Sequence, residues 1–559
     1  MLVKNINTKT KCSPEAGTLV DSALVALLCL ATVVVLGKDI ALGGLHDADS
    51  AAHVMDGVLI HDWIAAGWSA WRDPMGFAVE QYGHYPTLGI GQHYPPGFAA
   101  VEAVFFAVLG ISAATARLCV LFFGFLAVAG TYIFLKPLTD RTTAALAAAA
   151  WLTMPATTLW GRQTMLEIPT VAILIWGAVA FAAYIRRPTW GRYVALLLVA
   201  LSAVLFKQTG VFLVCAIALT LLVGAARGSI RRGQAFGAFA VAGAAVLVVV
   251  LSFDDACLKT LSGYRTFTDP WDRHALGFYV TTLPYQTGFC VLGLSAMGMM
   301  LSRRTLEIHW VFLLGWVVVC FVMVTTASLK VPRFFYVGLF PLVVWTAIAV
   351  NRLLQMVLAD RVRLAFCSSA VVALCVVAFL RPVHDSPDYG PLVAAHRGRI
   401  DGRVVLFSGL RDGDFVFAVR QQLPWREAVV IRGSKLLYTC TAGPDLDLVP
   451  HVASAGELTN LMRRFAFEHV FVERPNLVGT PQDHWLREYL ADSGDYEHVD
   501  AYPLLAGARP GAHDLIVDVY SLARPLTRTV DHFDIPIPRT GRSVRVDLTA
   551  ERKSRESRS

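Results

Sequence analysis

The residues of this chain best placed to do chemistry lie just after its first apolar run. There His46-Asp47-Ala48-Asp49-Ser50-Ala51-Ala52-His53 sets two carboxylates and two imidazoles close together. A carboxylate held beside an apolar boundary is partly desolvated, which raises its basicity and suits it to take a proton from an attacking hydroxyl. The same two Asp also fit a plainer role, because Asp is a favoured cap for a helix running over about 50–67. Further on, Gln92-His93-Tyr94-Pro95-Pro96-Gly97 uses paired prolines to stiffen the approach to the next apolar segment and to fix His93 and Tyr94. Cations then recur at the ends of apolar runs: Arg117, Arg162, Lys207, Lys330 and Arg333. Arg grips phosphate bidentately and Lys meets it as a point charge, so these side chains suit an anionic group. Each has a structural rival. Lys207 and Arg333 suit snorkelling to a lipid interface, Arg162 and Glu167 suit a local ion pair, and Lys330 beside Arg333 suits any phospholipid headgroup.

The elements that must hold these residues are set by composition. Of 559 residues, 55% are hydrophobic and only 16% charged, with a mean hydropathy of +0.53; soluble domains carry about a quarter charged residues. Apolar stretches near 18 residues recur between residues 18 and 381, each long enough to cross about 30 Å of hydrocarbon. The expected fold is a polytopic α-helical membrane domain of about 11–13 spans, followed by a soluble α/β domain. The predicted organisation is an N-terminal segment 1–17, a membrane domain 18–381 with a first outer loop 38–96, an α/β domain 384–540, and a disordered basic tail 541–559. Within the loop, Trp63, Trp68 and Trp71 suit the lipid interface. Most cysteines (Cys29, Cys119, Cys215, Cys320, Cys367, Cys375) fall in apolar runs, where Cys acts as a small hydrophobe. Cys257 and Cys440 are the nearest to water, and no spacing implies a disulfide framework or a metal site. Lys4, Lys9 and Lys11 precede the run 18–37 without a small-residue cleavage site, so that run reads as an uncleaved span.

Charge gives the topology. Six clusters (Lys4/Lys9/Lys11, Lys136/Arg141, Arg186/Arg187/Arg192, Arg227/Arg231/Arg232, Arg303/Arg304, Arg352/Arg361/Arg363) belong together on the cytoplasmic face. The net charge of +7 is then topogenic and calls for no nucleic-acid partner. The outer face receives 38–96, Arg162–Glu167, Lys207–Gly210, 253–285, Lys330–Arg333 and everything after 381. About twelve apolar runs conflict with the odd number of crossings this requires, so the short stretch 97–116, which abuts Arg117, is expected to dip into the membrane. The polar stretch 253–285 is expected to cover an outer cavity; its Asp254-Asp255 is a weak candidate for a divalent cation.

Beyond residue 384, strand-like runs at 403–408, 428–432, 469–473, 498–502 and 515–521 alternate with helical spacing at 415–421, 458–467 and 483–493, which predicts a mainly parallel sheet. Gly409-Leu410-Arg411-Asp412-Gly413-Asp414 and Arg432-Gly433-Ser434-Lys435 follow strands, where open α/β sheets bind ligands, although ordinary turns look the same.

An Asp-bearing first outer loop, Tyr94-Pro95-Pro96-Gly97, Ala116-Arg117-Leu118, Gly161-Arg162-Gln163-Thr164-Met165-Leu166-Glu167-Ile168-Pro169, Phe206-Lys207-Gln208-Thr209-Gly210, and Lys330-Val331-Pro332-Arg333-Phe334-Phe335-Tyr336 with Pro341 follow one another in that order. This order resembles the GT-C glycosyltransferases, more narrowly the dolichyl-phosphate-mannose-protein mannosyltransferase-like family that includes aminoarabinose transferases of lipid A. The resemblance implies a polyprenyl-phosphate-linked sugar donor and inverting transfer to an acceptor hydroxyl on a protein, lipid or glycan. It implies a catalytic acid in the first loop, commonly Asp-Glu. Here that pair is Asp49-Ser50: the Asp is kept and the Glu is not, with Asp47 a substitute carboxylate and Asp49 the favoured base. Donor phosphate contacts fall to Arg117, Arg162, Lys207, Lys330 and Arg333, and a substrate pocket to His53, His93, Tyr94, Glu167 and Tyr336. No metal or other cofactor is expected, since many members of the family need none, and a divalent cation is left open. The expected setting is a bacterial inner membrane, with lipids as partners and the C-terminal domain outside. A flippase of lipid-linked sugars and a polysaccharide polymerase or ligase are the alternatives. The first would favour internal repeats with broken helices, which the sequence lacks.

Overall fold

The computed structural model describes residues 14–45, 48–89, 94–228, 230–252, 269, 271–303, 307–327, 330–383, 386–441, 447–504, 515–536 and 543–548. The chain enters its helical part through α1 (Pro14–Leu36) and then forms α2 (Ala48–Ala65), followed by two shorter helices, Trp68–Arg72 and Pro74–His84. Next come α3 (Gly97–Leu109), α4 (Ala113–Leu135), α5 (Arg141–Thr153), α6 (Pro155–Gly161), α7 (Glu167–Arg186), α8 (Trp190–Phe206), α9 (Val211–Ala226) and α10 (Arg232–Ser252). The helices α11 (Arg273–Thr287), α12 (Phe289–Ser302), α13 (Glu307–Thr326), α14 (Phe340–Val357) and α15 (Asp360–Leu380) complete this part. Among the described residues seven helices are long and apolar enough to cross a membrane: those at 18–36, 113–135, 167–186, 208–226, 307–326, 340–357 and 360–380. The chain is an integral membrane protein.

The helices pack as a membrane interior requires, through close backbone approach as well as side-chain volume. Gly298 of α12 shows this: a β-carbon there would run into the backbone carbonyl of Trp345 in α14. Pro155 separates α5 from α6, because proline cannot donate the hydrogen bond that would continue the helix. At one end of the bundle Asp21 of α1 pairs with Lys136 and Arg141. At the other, Arg162 ties α1 to α15 through the carbonyls of Val35, Ala378 and Arg381.

The helix α3, shorter than the seven, packs its start in the helical part, with Phe98 against Phe123 and Phe123 against Phe206. Its Phe106 instead joins a cluster with Leu45, Ala51, Ala116 and the C-terminal domain's Phe415. Thus α3 runs from the helix bundle toward the C-terminal domain, and the start of α4 packs in the same cluster. Residues 273–285, expected to lie in a polar covering stretch, are helical in α11. Asp272 caps that helix through the His274 amide (2.7 Å).

The C-terminal domain is built on a five-stranded sheet of β1 (Val404–Ser408), β2 (Val429–Arg432), β5 (His469–Arg474), β6 (Tyr496–Leu504) and β7 (Leu515–Leu522), in the order β2-β1-β5-β7-β6. Strands β3 (Tyr438–Thr441) and β4 (Asp447–Pro450) pair separately. Helices α16 (Asp412–Gln422), α17 (Ala455–Phe465) and α18 (Pro481–Asp492) fill the crossovers. β1 is parallel to β2 and β5, but β7 runs antiparallel to both β5 and β6. The sheet is therefore mixed rather than mainly parallel, because β7 meets both of its neighbours in antiparallel register. The expected tail at 541–559 also needs correction. Ser543–Asp547 forms β9 against β8 (His532–Pro536), and the alternation of Ser-Val-Arg-Val-Asp turns Val544 and Val546 into the core.

Candidate active site

The helix α2 presents Asp49, His53 and Asp56 at i, i+4 and i+7, which places them on one face. Four other segments converge on that face. Tyr94 sets its ring edge-on to His53 with centroids 4.4 Å apart. Arg333, in the 3-10 turn Pro332–Gly338, donates to the Asp49 carboxylate. Glu167, at the start of α7, accepts from Lys207 Nζ at 2.6 Å, and Lys207 stands where α8 ends, its side chain drawn inward by that pair. The neighbouring turn is fixed to α2 by Ser50 Oγ, which lies 3.4 Å from Met165 Sδ. The result is two acid–base pairs side by side, with an imidazole between them in electrostatic contact with all four.

The environment of each group differs in a useful way. Glu167 is almost wholly buried, and its second oxygen has no hydrogen-bond partner among the described residues. The Asp49 side chain keeps 34% of its accessible surface, so it is the more accessible of the two carboxylates. Burial pushes the Asp49 carboxyl up, but Arg333, His53 and Lys207 outweigh this and hold it below the usual carboxylate range. Burial pushes the His53 imidazole down to about 4, so at neutral pH it is an uncharged hydrogen-bonding group. The Tyr336 hydroxyl bonds Thr157 Oγ1 (2.9 Å) and lies in electrostatic reach of Glu167.

Comparison with known proteins bears on this arrangement. Residues 93–253 match the family model described as dolichyl-phosphate-mannose-protein mannosyltransferase. Among solved structures, ArnT from Cupriavidus metallidurans in the apo state aligns over 91% of this chain and 98% of its own, at 13% identity and a TM-score of 0.55. The same protein bound to undecaprenyl phosphate aligns at 13% identity and a TM-score of 0.52, with the same coverage. The Archaeoglobus fulgidus oligosaccharyltransferase aligns over 86% of this chain and 72% of its own, at 13% identity and 0.50. A search of curated protein sequences gives no match. The fold is that of the GT-C glycosyltransferases.

Within this GT-C frame, three of the five cations expected at a donor phosphate are turned elsewhere. Arg117 donates to the carbonyls of Ile40 (2.9 Å), Leu42 (2.8 Å), Gly43 (3.4 Å) and Gly44, clamping the loop before α2. Arg162 donates to Val35, Ala378 and Arg381 rather than pairing with Glu167. Lys330 donates to Thr325 (2.6 Å) and Ala327 (2.8 Å) at the end of α13. The reason is common to all three: chain and helix ends at a membrane boundary expose carbonyls that water cannot reach, and a cation satisfies several at once. Lys207 and Arg333 are the two that reach carboxylates. Asp47, His93, Asp254 and Asp255 lie outside the described residues. Among those described, no group of three or more His, Cys, Asp or Glu is arranged to hold a metal ion.

Asp56 went unnoticed in the sequence, although its i+7 spacing from Asp49 was a signal. It accepts from the Gly89 amide (2.7 Å), and the Tyr94 amide donates to Gly89 O (3.2 Å), which ties Tyr94 to the same face. The C-terminal domain abuts this helix directly. A β-carbon at Gly413 would lie 3.0 Å from Ala51 Cβ, between Asp49 and His53 in sequence. Arg411 donates to Leu45 O (3.0 Å) and Arg432 to Pro86 O (2.8 Å). The two post-strand segments thus bind the first loop, and Arg432 and Ser434 also converge on Asp412.

Proposed function

We propose that this protein is a glycosyltransferase that moves a sugar from a polyprenyl-phosphate-linked donor to an acceptor hydroxyl, with inversion, at the extracytoplasmic face of a bacterial inner membrane. The carrying observation is the meeting of Asp49–Arg333 and Glu167–Lys207 from four separate segments beside neutral His53. In this reading the acceptor oxygen attacks the anomeric carbon while Asp49 takes its proton. The bond from that carbon to the phosphate oxygen breaks, and the polyprenyl phosphate leaves with one more negative charge, stabilised by Arg333 and Lys207. Before the donor binds, Arg333 keeps Asp49 weakly basic. A donor phosphate competing for that guanidinium relieves the pairing, so Asp49 gains basicity when its substrate is in place. ArnT, whose fold this chain shares, has been solved with undecaprenyl phosphate, which supports the donor class. The stabilisation invoked comes from side chains, and no cofactor enters the reading.

The test is Asp49→Asn in the purified full chain, supplied with radiolabelled polyprenyl-phosphate sugars. Loss of the general base is expected to lower turnover by about 10²–10⁴-fold, with donor binding retained. A flippase would keep moving donor across vesicle membranes in the same variant. That outcome, with transfer absent in the parent chain, would replace the enzymatic reading.

A further inference from the structure

Away from Asp49, the helices α1 and α15 leave a groove between them of about 540 Å³, floored by Thr142 and Ala145 of α5 and lined on α15 from Leu364 to Phe379. Apart from Thr142 and Ser368 its walls are apolar or cysteine side chains. The top of the groove is marked by cations. Lys38 Nζ lies 5.0 Å from the ring of Phe379, a groove residue, and donates to the carbonyls of Phe379 (2.9 Å) and Arg381 (3.3 Å). Arg162 bridges the ends of α1 and α15, as above. Arg381 reaches Thr153 O (2.7 Å) and Thr158 Oγ1 (3.1 Å), and both arginines line a second cavity of about 210 Å³ with Pro155 and Gln163.

Helix capping does not account for all this charge. The carbonyls belong to the ends of α1, α5 and α15, and each helix terminus carries about half a unit of negative charge. About half of the three positive charges is left over. Among the described residues no carboxylate is within ion-pairing distance of Lys38, Arg162 or Arg381. Asp39 is exposed and contributes an electrostatic attraction to Arg162 without a salt bridge. These cations also lie on the bundle end that carries the C-terminal domain, opposite to the basic clusters that set topology.

We propose that this is a binding site for an anionic glycerophospholipid of the bilayer, its phosphate on Lys38, Arg162 and Arg381 and one acyl chain in the α1–α15 groove. Basic pockets between membrane helices take such headgroups. The apolar walls of this groove suit a lipid chain lying along α1 and α15. The site is joined to the reaction centre by the turn 162–167, which begins at Arg162 and ends at Glu167. An anionic lipid held there braces the turn that carries Glu167.

Native mass spectrometry of the full-length protein, exchanged from detergent into phosphatidylglycerol, phosphatidylethanolamine or undecaprenyl phosphate, tests this. Phosphatidylglycerol is expected to be retained over phosphatidylethanolamine. Removing two cations in Lys38→Gln/Arg381→Gln should weaken that retention by about 30-fold. Lys38→Gln alone, a change at a half-buried side chain, should weaken it by about 5-fold and serves if the double variant fails to fold. Ser368→Trp, which fills the groove, should reduce retention of both phospholipids. Equal retention of the two, or a preference that survives Lys38→Gln, overturns the proposal. So does undecaprenyl phosphate displacing phosphatidylglycerol with the same sensitivity to these variants, which would assign the groove to the carrier lipid.

Discussion

Breaking the ion pair between Arg420 and Asp62 is the perturbation that most directly probes how the C-terminal domain serves the reaction centre. Arg420 meets Asp62 through Nε (3.0 Å) and through a second nitrogen (2.5 Å), with only 9% and 3% of the two side chains exposed. Asp62 also accepts from Gln81 (3.3 Å) and lies 3.0 Å from His61 Nδ1. Replacing Arg420 by Met leaves a buried carboxylate with only the His61 imidazole and the Gln81 amide beside it, which costs about 3–5 kcal/mol. Asp62 lies 13 residues beyond Asp49 on α2, about 20 Å along the helix axis. A tilt of α2 by about 3° as Asp62 seeks water moves Asp49 by about 1 Å, enough to lower turnover on the order of 100-fold. The assay is sugar transfer with kcat and KM separated, alongside thermal unfolding in one detergent. Arg420→Met is expected to lose kcat with little change in donor KM. The exchanged pair Asp62→Arg/Arg420→Asp should recover part of both stability and kcat. If Arg420→Met keeps kcat within about 2-fold and loses under about 1 kcal/mol, the domain is not what aligns α2.

Other outcomes follow from the same geometry. Lys207→Met strands the buried Glu167 carboxylate and is expected to destabilise the fold by about 3–5 kcal/mol. Adding Glu167→Gln should restore the melting temperature but not transfer, which separates folding from function. Arg333→Lys keeps the charge but loses the planar fork, and should weaken donor use by about 10–100-fold as read from kcat/KM. In the C-terminal domain, burial pushes the Asp414 carboxyl up from 3.8 to about 8, more than Arg411 pulls it down. A carboxyl raised on folding stabilises most below its unfolded value, so the melting temperature should fall as pH rises from about 4 to about 8. Asp414→Asn, which carries no charge to bury, should flatten that profile.

The membrane class, the soluble domain after residue 381 and most of its strands were legible in the sequence, because hydropathy and period-2 or period-3.6 spacing are local properties. The candidate cluster was legible in part. Asp49, His53, Tyr94, Glu167, Lys207 and Arg333 stood at the ends of apolar runs, where a charge is costly unless it has a partner or a task. The sequence could not show which acid each cation would meet. The pairs Asp49–Arg333 and Glu167–Lys207 join residues 284 and 40 positions apart.

Composition and spacing alone determined that the chain crosses a membrane repeatedly and which chemical groups it brings to one face, since transfer energies and helical periodicity depend on nearest neighbours in the chain. Tertiary structure alone decided that Arg117, Arg162 and Lys330 hold carbonyls, that the end of α3 packs against the C-terminal domain, and that Gly413 rests on α2 beside Asp49. Each of those depends on which backbone end lies close in space, and a terminal carbonyl attracts a cation whatever its distance along the sequence.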